Sequence, residues 1–166
     1  MEIRAEQSGD EAAIHAITET AFAPMPFSNG AEASIIRQLR EDRDLALSLV
    51  AVDAGDIIGH VAFSPVTIDD RHDGWFGLGP VSVRPDRQKE GVGARLIHTG
   101  LAAIKARGAA GCALIGNPRY YSRFGFVSDG ALAYGGAPPE VVQQLPFGVT
   151  KARGVLQFAP AFEAER

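Results

Sequence analysis

A turn containing two glycines is the feature of this sequence that most directly suggests chemistry. Residues 88–93 read Gln-Lys-Glu-Gly-Val-Gly and precede the most regular helical pattern of the chain. Glycine in a helical turn is about 1 kcal/mol less favourable than alanine, so something must require bare backbone there. The free N–H groups and the positive dipole end of a helix start can hold a phosphate, which glycine allows to approach closely. We therefore interpret the turn as an anion-binding loop.

The spacing of the glycines excludes two other phosphate motifs. The sequence contains no Gly-x-x-x-x-Gly-Lys-Ser/Thr, which a Walker loop requires. A Rossmann turn requires a third glycine three positions after Gly93, where Leu96 stands. The remaining pattern, Gln-x-x-Gly-x-Gly, is also compatible with a tight connection that binds nothing.

The distribution of charge favours a small anionic ligand. The chain has 16 basic and 20 acidic residues, a net charge of −4, yet the segment from Arg84 to Arg123 has eight basic residues and two acidic ones. A focus of positive charge in an acidic protein suits a polyanionic small molecule, although a solvated helix face gives the same pattern. Because a duplex-binding domain normally has a basic surplus, the overall acidity argues against nucleic acid as a partner.

The sequence gives little indication of a metal site, a disulfide bond or a membrane-spanning segment. The four histidines lie far apart without metal-site spacing, and Cys112 is the only cysteine, which we expect in the core. The amino terminus lacks the basic head and apolar run of a secretory signal. The longest uncharged stretch, residues 57–68, is too short to span a bilayer. We expect a cytoplasmic protein that binds no metal and no membrane.

Length and composition predict one folded domain that positions this turn. The chain has 166 residues, of which 46% are hydrophobic and 22% charged. Two apolar runs, 45–52 and 57–68, flank Asp53-Ala54-Gly55-Asp56, which predicts a hairpin. Strands over 75–83 and 112–115 flank a helix over 91–107, which is typical of a parallel crossover. Antiparallel hairpin strands joined to such a crossover predict an α/β fold with a mixed sheet flanked by helices.

The predicted element order is β-α-α-β-β-β-α-β-α-β. Besides the elements above, we expect a strand at Ile3, a helix capped by Asp10, a helix over about 31–43, a short helix capped by Asn117 and a strand from Phe126 onward. Residues 1–166 are predicted to form one domain, with a core over about 1–128 and a strand-containing C-terminal extension over about 129–166.

Three segments together resemble the GNAT superfamily of N-acetyltransferases: Val81-Ser82-Val83, the turn over 88–93, and Tyr120-Tyr121-Ser122-Arg123-Phe124-Gly125-Phe126. Within it, Leu78-Gly79-Pro80-Val81 and Gly116-Asn117-Pro118 are similar to the YhbS-type predicted acetyltransferases. The resemblance extends over most of the chain. It implies the GNAT fold, acetyl-CoA as acyl donor, and direct transfer to a primary amine of a small molecule or peptide.

The resemblance also implies where coenzyme A binds. In this superfamily the acyl-CoA lies where two parallel strands splay apart, which here are the strands over 75–83 and 112–115. The contacting residues that it implies are Val81, Ser82, Val83, Gln88, Lys89, Glu90, Gly91, Val92, Gly93, Ala94 and Tyr121. Independently of the resemblance, Pro80 indicates a bulge or interruption, because proline cannot donate a ladder hydrogen bond.

The catalytic residues that the resemblance implies are only partly determined. Tyr121 matches the superfamily's general acid in the pattern Tyr-x-x-x-Gly-Phe, although Tyr120 is adjacent and only one of the two is expected to face the thiol. Relatives often have a glutamate on the strand over 75–83, and this chain has none there. Glu32 and His60 are the alternative bases, and an amine that arrives neutral would need neither.

The amine acceptor and the choice between monomer and homodimer stay open at this stage. Two hypotheses of a non-catalytic function also remain. One is an acyl-CoA sensor, which the missing strand glutamate favours and Tyr121 disfavours. The other is an interaction domain in which the glycine turn is a simple connection.

Overall fold

A six-stranded mixed sheet with helices on both faces forms the centre of the protein. The computed structural model describes residues 1–163. Its strands and helices are β1 Glu2–Ala5, α1 Glu11–Phe22, α2 Glu32–Glu41, β2 Leu47–Asp53, β3 Asp56–Pro65, β4 Thr67–Ile68, β5 Trp75–Val83, α3 Val92–Ala106, β6 Gly111–Ile115, α4 Pro118–Tyr121, β7 Leu132–Ala133, β8 Val142–Pro146, β9 Gly154–Gln157 and α5 Pro160–Glu163. The main sheet has the order β1-β2-β3-β5-β6-β8, and β4-β9-β7 forms a smaller sheet. The predicted fold class is confirmed.

Two apolar layers hold the main sheet between its helices. The first contains the inner face of α3, with Leu96, Ile97 and Ile104, packed against strand residues such as Phe63. On the opposite face, α1 and α2 pack on β2 through a buried cluster of Ile14, Ile36 and Val50. Both layers exclude solvent, since each of these residues is at most 2% exposed. Within residues 1–163, no helix is long and apolar enough to cross a membrane.

The sheet opens between β5 and β6. These parallel strands pair only over Trp75–Gly77 and Gly111–Ala113, after which β5 continues for six residues without a partner on that side. On its other side β5 stays paired with β3, with a register shift between Val61 and Phe63. The shift places one extra β5 residue at Gly79–Pro80, whose peptide bond is cis. As predicted, Pro80 lies at an irregularity, because it cannot donate to the ladder.

Three local predictions differ from the structure. The strand expected from Phe126 is reduced to one isolated bridge between Val127 and Gln144, because Phe126 turns into the core after Gly125. The sixth strand is instead β8, which comes from the predicted C-terminal extension, whose last three residues lie outside the described part of the chain. The apolar run over 57–68 divides into β3 and β4, which belong to different sheets.

The third difference concerns the start of α1. The Asp10 side chain does not cap this helix. Its carboxylate instead accepts hydrogen bonds from Arg4 at 2.7 Å and from the Gln7 amide at 2.7 Å. The charged Arg4 side chain in β1 is thus the donor to the Asp10 carboxylate, in place of the amides of the first turn of α1.

A chain of polar side chains runs from the surface into the sheet beneath α1 and α2. Arg40 donates two hydrogen bonds of 2.9 Å to Glu6. Ser48 donates to the same carboxylate at 2.6 Å, and its Oγ lies 2.8 Å from Nε2 of His60. Because the single hydroxyl proton of Ser48 goes to the carboxylate, its oxygen accepts from Nε2–H of His60. His60 is therefore the neutral tautomer with an unprotonated Nδ1, which is buried and has no hydrogen-bond partner within residues 1–163.

Burial keeps His60 uncharged over the physiological range. The imidazole is 0% exposed, and desolvation lowers its pKa to about 4, against an opposing contribution from Glu6. In the unfolded chain the group regains a pKa of about 6.5. Between these two values the unfolded state binds more protons than the folded state, so the free energy of unfolding rises with pH.

We expect His60 to make the protein acid-sensitive. As the pH falls from about 6.5 to about 4, its contribution to the free energy of unfolding decreases by about 3 kcal/mol in total. Urea denaturation at several pH values will measure this as a difference from His60→Gln, which cannot titrate. His15→Gln is the matched control, because it replaces a histidine that is partly exposed on α1 and lies outside the buried polar chain. Equal acid sensitivity of wild type and His60→Gln would contradict the assignment.

Candidate active site

The predicted anion-binding loop forms an uncapped helix start. Gly91 is the N-cap of α3 with φ of +85°, a conformation that favours glycine, and it has no side chain to cap the first turn. The first bond within the helix runs from the Arg95 amide to the Gly91 carbonyl at 3.1 Å. The three preceding amides, those of Val92, Gly93 and Ala94, therefore have no acceptor within the helix. They are the donors that an anion could use.

The charges beside this loop are largely paired. Arg84 donates to Asp86 at 2.6 Å, and Arg87 donates to Glu90 at 2.9 Å and to Asp53 at 2.8 Å. Lys89 and Glu90 are both exposed in the loop. The backbone amides, more than a focus of free cations, thus make this end of α3 suitable for an anion.

The basic segment predicted from the sequence is not one surface. Arg84, Arg87 and Lys89 precede the start of α3, whereas Lys105 and Arg107 lie at its other end. The 15 residues of α3 separate these groups by about 22 Å at 1.5 Å per residue. Lys105 and Arg107 therefore do not belong to a positive region around the loop, because the length of α3 separates them from it.

The backbone of β5 faces the opening in the sheet. The Arg84 amide donates to the Ile58 carbonyl at 2.8 Å, which makes these two residues a hydrogen-bonded pair. Because such pairs alternate along an antiparallel ladder, Ser82 is bonded to His60, while the N–H and C=O groups of Val81 and Val83 point away from β3. They point to the side on which β6 has separated. The side-chain amide of Gln88 donates to the Val83 carbonyl at 3.0 Å.

Ser82 is turned away from the opening, unlike its two neighbours. Its side chain is 3% exposed and lies on the α1 face, where its Oγ is 3.3 Å from Oγ1 of Thr18. Thr18 donates its proton to the Ile14 carbonyl at 2.7 Å, so Ser82 is the donor between the two hydroxyls. Ser82 fastens β5 to α1 and leaves its neighbours free to face a ligand.

The two adjacent tyrosines occupy different positions around the opening. The rings of Tyr120 and Tyr121 are 5.0 Å apart and nearly perpendicular, and both residues are half-buried. The Tyr120 hydroxyl lies 3.6 Å from where a Cβ on Gly93 would be, beside Val83. Gly93 therefore lies where the start of α3 meets β5 and α4. Tyr121 lies deeper, and burial raises its pKa to about 12.

Tyr121 is held by a glycine and a glutamine that the sequence analysis did not identify as functional. Its ring crosses the end of β6 so closely that a Cβ on Gly116 would be 2.7 Å from Cε2. Gln143 of β8 donates to the Gly116 carbonyl at 2.9 Å and is itself 0% exposed. A pair of glutamines inside the apolar run Val141–Leu145 was the signal that could have revealed this support.

The side chains of Glu32 and His60 form their hydrogen bonds with other residues than the tyrosines and the glycine turn. Glu32 lies in the first turn of α2 and accepts a hydrogen bond from Ser28 at 2.6 Å. It is half-buried, whereas His60 is enclosed and uses Nε2 to bind Ser48. Among residues 1–163, no group of three or more histidine, cysteine, aspartate or glutamate side chains could hold a metal ion.

The arrangement combines three chemical capabilities. Unpaired amides at the start of α3 can bind a phosphate, and the free edge of β5 can pair with an extended chain that carries amide groups. The Val81 N–H, which follows the bulge at Pro80, can donate to a carbonyl oxygen in the opening. Tyr121 supplies a protonated phenol. Together they fit a nucleotide-linked acyl donor with an amide-containing arm.

Comparisons with known proteins agree with this geometry. Residues 44–128 match the acetyltransferase (GNAT) domain family. The uncharacterized N-acetyltransferase YhbS of Escherichia coli is 38% identical over 76% of this chain and 73% of its own length. A GNAT family acetyltransferase from Brucella melitensis in complex with acetyl-CoA is 44% identical, with a TM-score of 0.88 over 97% of both chains.

The crystal structure of YhbS from Escherichia coli in complex with CoA gives a TM-score of 0.89 at 30% identity, covering 98% of this chain and 91% of that one. The family match includes β5, the glycine turn, α3 and both tyrosines, which are the residues that border the opening. The similarity therefore extends to the site as well as to the fold. This chain belongs to the GNAT acetyltransferase family, as the sequence predicts.

Proposed function

We propose that the protein is an N-acetyltransferase that transfers the acetyl group of acetyl-CoA directly to a primary amine of a small molecule or peptide in the cytoplasm. The observation that carries this proposal is the opening between β5 and β6, bordered by the outward-facing backbone of Val81 and Val83 and by the uncapped start of α3. Its relatives from Brucella melitensis and Escherichia coli were crystallised with acetyl-CoA and CoA.

The coenzyme fits this opening from one end to the other. Its pyrophosphate binds the amides from Gln88 to Ala94, where Gly91 leaves room beside the backbone. Its pantetheine arm runs along β5 like an added strand and pairs with Val81 and Val83. The Gln88 side chain, which now donates to the Val83 carbonyl, yields this acceptor to a pantetheine amide. The thioester then lies near the bulge at Gly79–Pro80.

Transfer proceeds by attack of the neutral amine on the thioester carbonyl. The new C–N bond forms as the carbonyl oxygen takes up negative charge, which the Val81 N–H stabilises. The C–S bond then breaks, and the departing thiolate takes a proton from the Tyr121 phenol. Burial raises the pKa of this phenol to about 12, so it stays protonated throughout the physiological range. The same burial disfavours a free thiolate, and this drives the proton to the sulfur. The tyrosinate then recovers a proton from solvent.

Glu32 is the more accessible of the two predicted bases. A carboxylate that is half-buried and bonded to the Ser28 hydroxyl can exchange protons with water. His60 is enclosed beneath α1 and α2, and its pKa of about 4 gives it little tendency to take a proton from an ammonium group. We assign the amine proton to Glu32, directly or through water, and a structural role to His60.

Gly93→Ala tests the coenzyme site. The new Cβ meets its nearest neighbours at 3.6 Å, an ordinary contact, so we expect the free protein to be as stable as wild type. The methyl group adds bulk to the first turn of α3, whose amides we propose to bind the pyrophosphate, so we expect the dissociation constant for acetyl-CoA to rise at least tenfold, about 1.4 kcal/mol. Calorimetric titration and thermal denaturation measure the two effects. Gly136→Ala, whose Cβ meets nothing within 4 Å, is the control. Unchanged affinity would exclude this loop.

Tyr121→Phe tests the acid. We expect turnover to decrease by about 10²–10⁴-fold because the leaving thiolate loses its proton donor, while acetyl-CoA affinity stays within about threefold of wild type. A thiol-release assay with a panel of amines and peptides measures turnover. Tyr120→Phe, which removes the hydroxyl beside Gly93, should keep turnover within about tenfold of wild type. Full turnover by Tyr121→Phe would remove this residue from the mechanism.

Glu32→Gln tests the base. We expect kcat/KM at pH 7 to fall by at least about tenfold, with a smaller loss at higher pH where more of the amine is already neutral. His60→Gln should change kcat/KM less than about threefold, measured above pH 7 where His60 is neutral in any case. The opposite ranking of the two variants would transfer the role to His60.

A further inference from the structure

A second group of basic residues lines a cavity at the far end of α3. The cavity has a volume of about 320 Å³ and lies between the end of β1, the end of α2 and the segment that leads into β2. Three arginines and one acidic residue border it: Arg40, Arg43, Arg107 and Glu6. Leu45 and Leu47 form an apolar part of its wall. In an acidic protein, three arginines in one concavity require an explanation.

Only one of the three positive charges is compensated. Arg40 binds Glu6 through two hydrogen bonds of 2.9 Å. Arg107 donates through Nη1 to the Ala46 carbonyl at 2.7 Å, which orients the guanidinium but leaves its charge intact. The Arg43 side chain forms no ion pair and no hydrogen bond within residues 1–163. Arg43 and Arg107, which are both exposed, therefore leave two uncompensated positive charges at the border of the cavity.

The backbone fixes Arg43 at this rim. Its φ of +62° is a conformation that residues other than glycine rarely adopt. The turn is closed by hydrogen bonds from the amides of Asp44 and Leu45 to the Leu39 carbonyl, at 2.8 and 3.1 Å. These bonds hold the Arg43 backbone in a defined conformation at the border of the cavity.

Cationic side chains that border one cavity repel each other unless an anion lies between them. Their planar donor groups match the oxygens of phosphate, which they bind with paired hydrogen bonds. The negative end of the α3 dipole amounts to about half a charge and does not offset two cations. The volume falls within the range of small-molecule sites, about 300–1,000 Å³.

We propose that this cavity is a second anion site, which binds a small phosphate dianion, either inorganic phosphate or a phosphate monoester. Arg43 and Arg107 hold the ligand, and Arg40 joins them while it stays paired with Glu6. The site is independent of the proposed coenzyme site, because α3 separates the two by about 22 Å. Glu6 lies in its wall and is bonded to Ser48, so a bound ligand also contacts the polar chain that leads to His60.

Calorimetric titration of the full chain with inorganic phosphate tests this site, with CoA saturating so that the first anion site is filled. We expect one equivalent to bind, and Arg43→Gln and Arg107→Gln each to weaken binding at least tenfold. Glu6→Gln should strengthen binding, because it removes the negative charge from the wall. Glycerol phosphate in place of inorganic phosphate distinguishes a monoester from the free ion.

Lys105→Ala is the matched control for charge. It removes a cation from the same end of α3, but its ammonium lies 6.0 Å from the Phe147 ring centre and outside the cavity. Thermal denaturation shows whether Arg107→Gln still folds, and Arg43→Gln keeps the test valid if it does not. Absence of heat beyond that of chloride at equal ionic strength, or equal weakening by Lys105→Ala, would overturn the proposal.

Discussion

The separation of β5 from β6 after three paired residues is the constraint on which the rest of the site depends. A sheet whose strands stayed paired would satisfy the backbone groups of Val81 and Val83 internally and leave no place for a ligand. The bulge at Gly79–Pro80 accompanies this separation, because proline cannot donate to a ladder. β3 keeps β5 in place from the other side, so the opening is built into the resting fold and does not have to be made by the coenzyme.

Small residues then determine what can border the opening. Gly91 adopts the left-handed conformation that starts α3 without a side-chain cap, and Gly93 leaves a space that the Tyr120 hydroxyl approaches. Gly116 lets the Tyr121 ring cross the end of β6 at a distance that any Cβ would prevent. Gln143 fixes the Gly116 carbonyl from β8. The tyrosine is thus positioned by a strand that lies outside the matched family segment and late in the chain.

The sequence predicts those parts of the structure that local rules decide. β5 has its predicted bounds, Asn117 caps α4 through the Arg119 amide, and Ala54 and Gly55 form the turn of the β2–β3 hairpin with positive φ. The predictions that fail concern contacts with residues outside the local segment. Asp10 binds Arg4 instead of capping α1, and Phe126 is buried in the core. β8 pairs with β6 although Val142 follows its partner Ile115 by 27 residues in the sequence.

The buried polar chain shows why residue type alone does not identify a base. His60 would be the natural choice from composition, because its ordinary pKa is near neutrality. In the fold, the Ser48 hydroxyl donates its proton to Glu6, so its oxygen accepts a hydrogen bond from Nε2–H of His60. This bond fixes the imidazole tautomer. Desolvation then lowers the pKa of His60 to about 4. Proton exchange is therefore disfavoured at His60, whereas Glu32 and Tyr121, the base and acid that we propose, remain partly open to solvent.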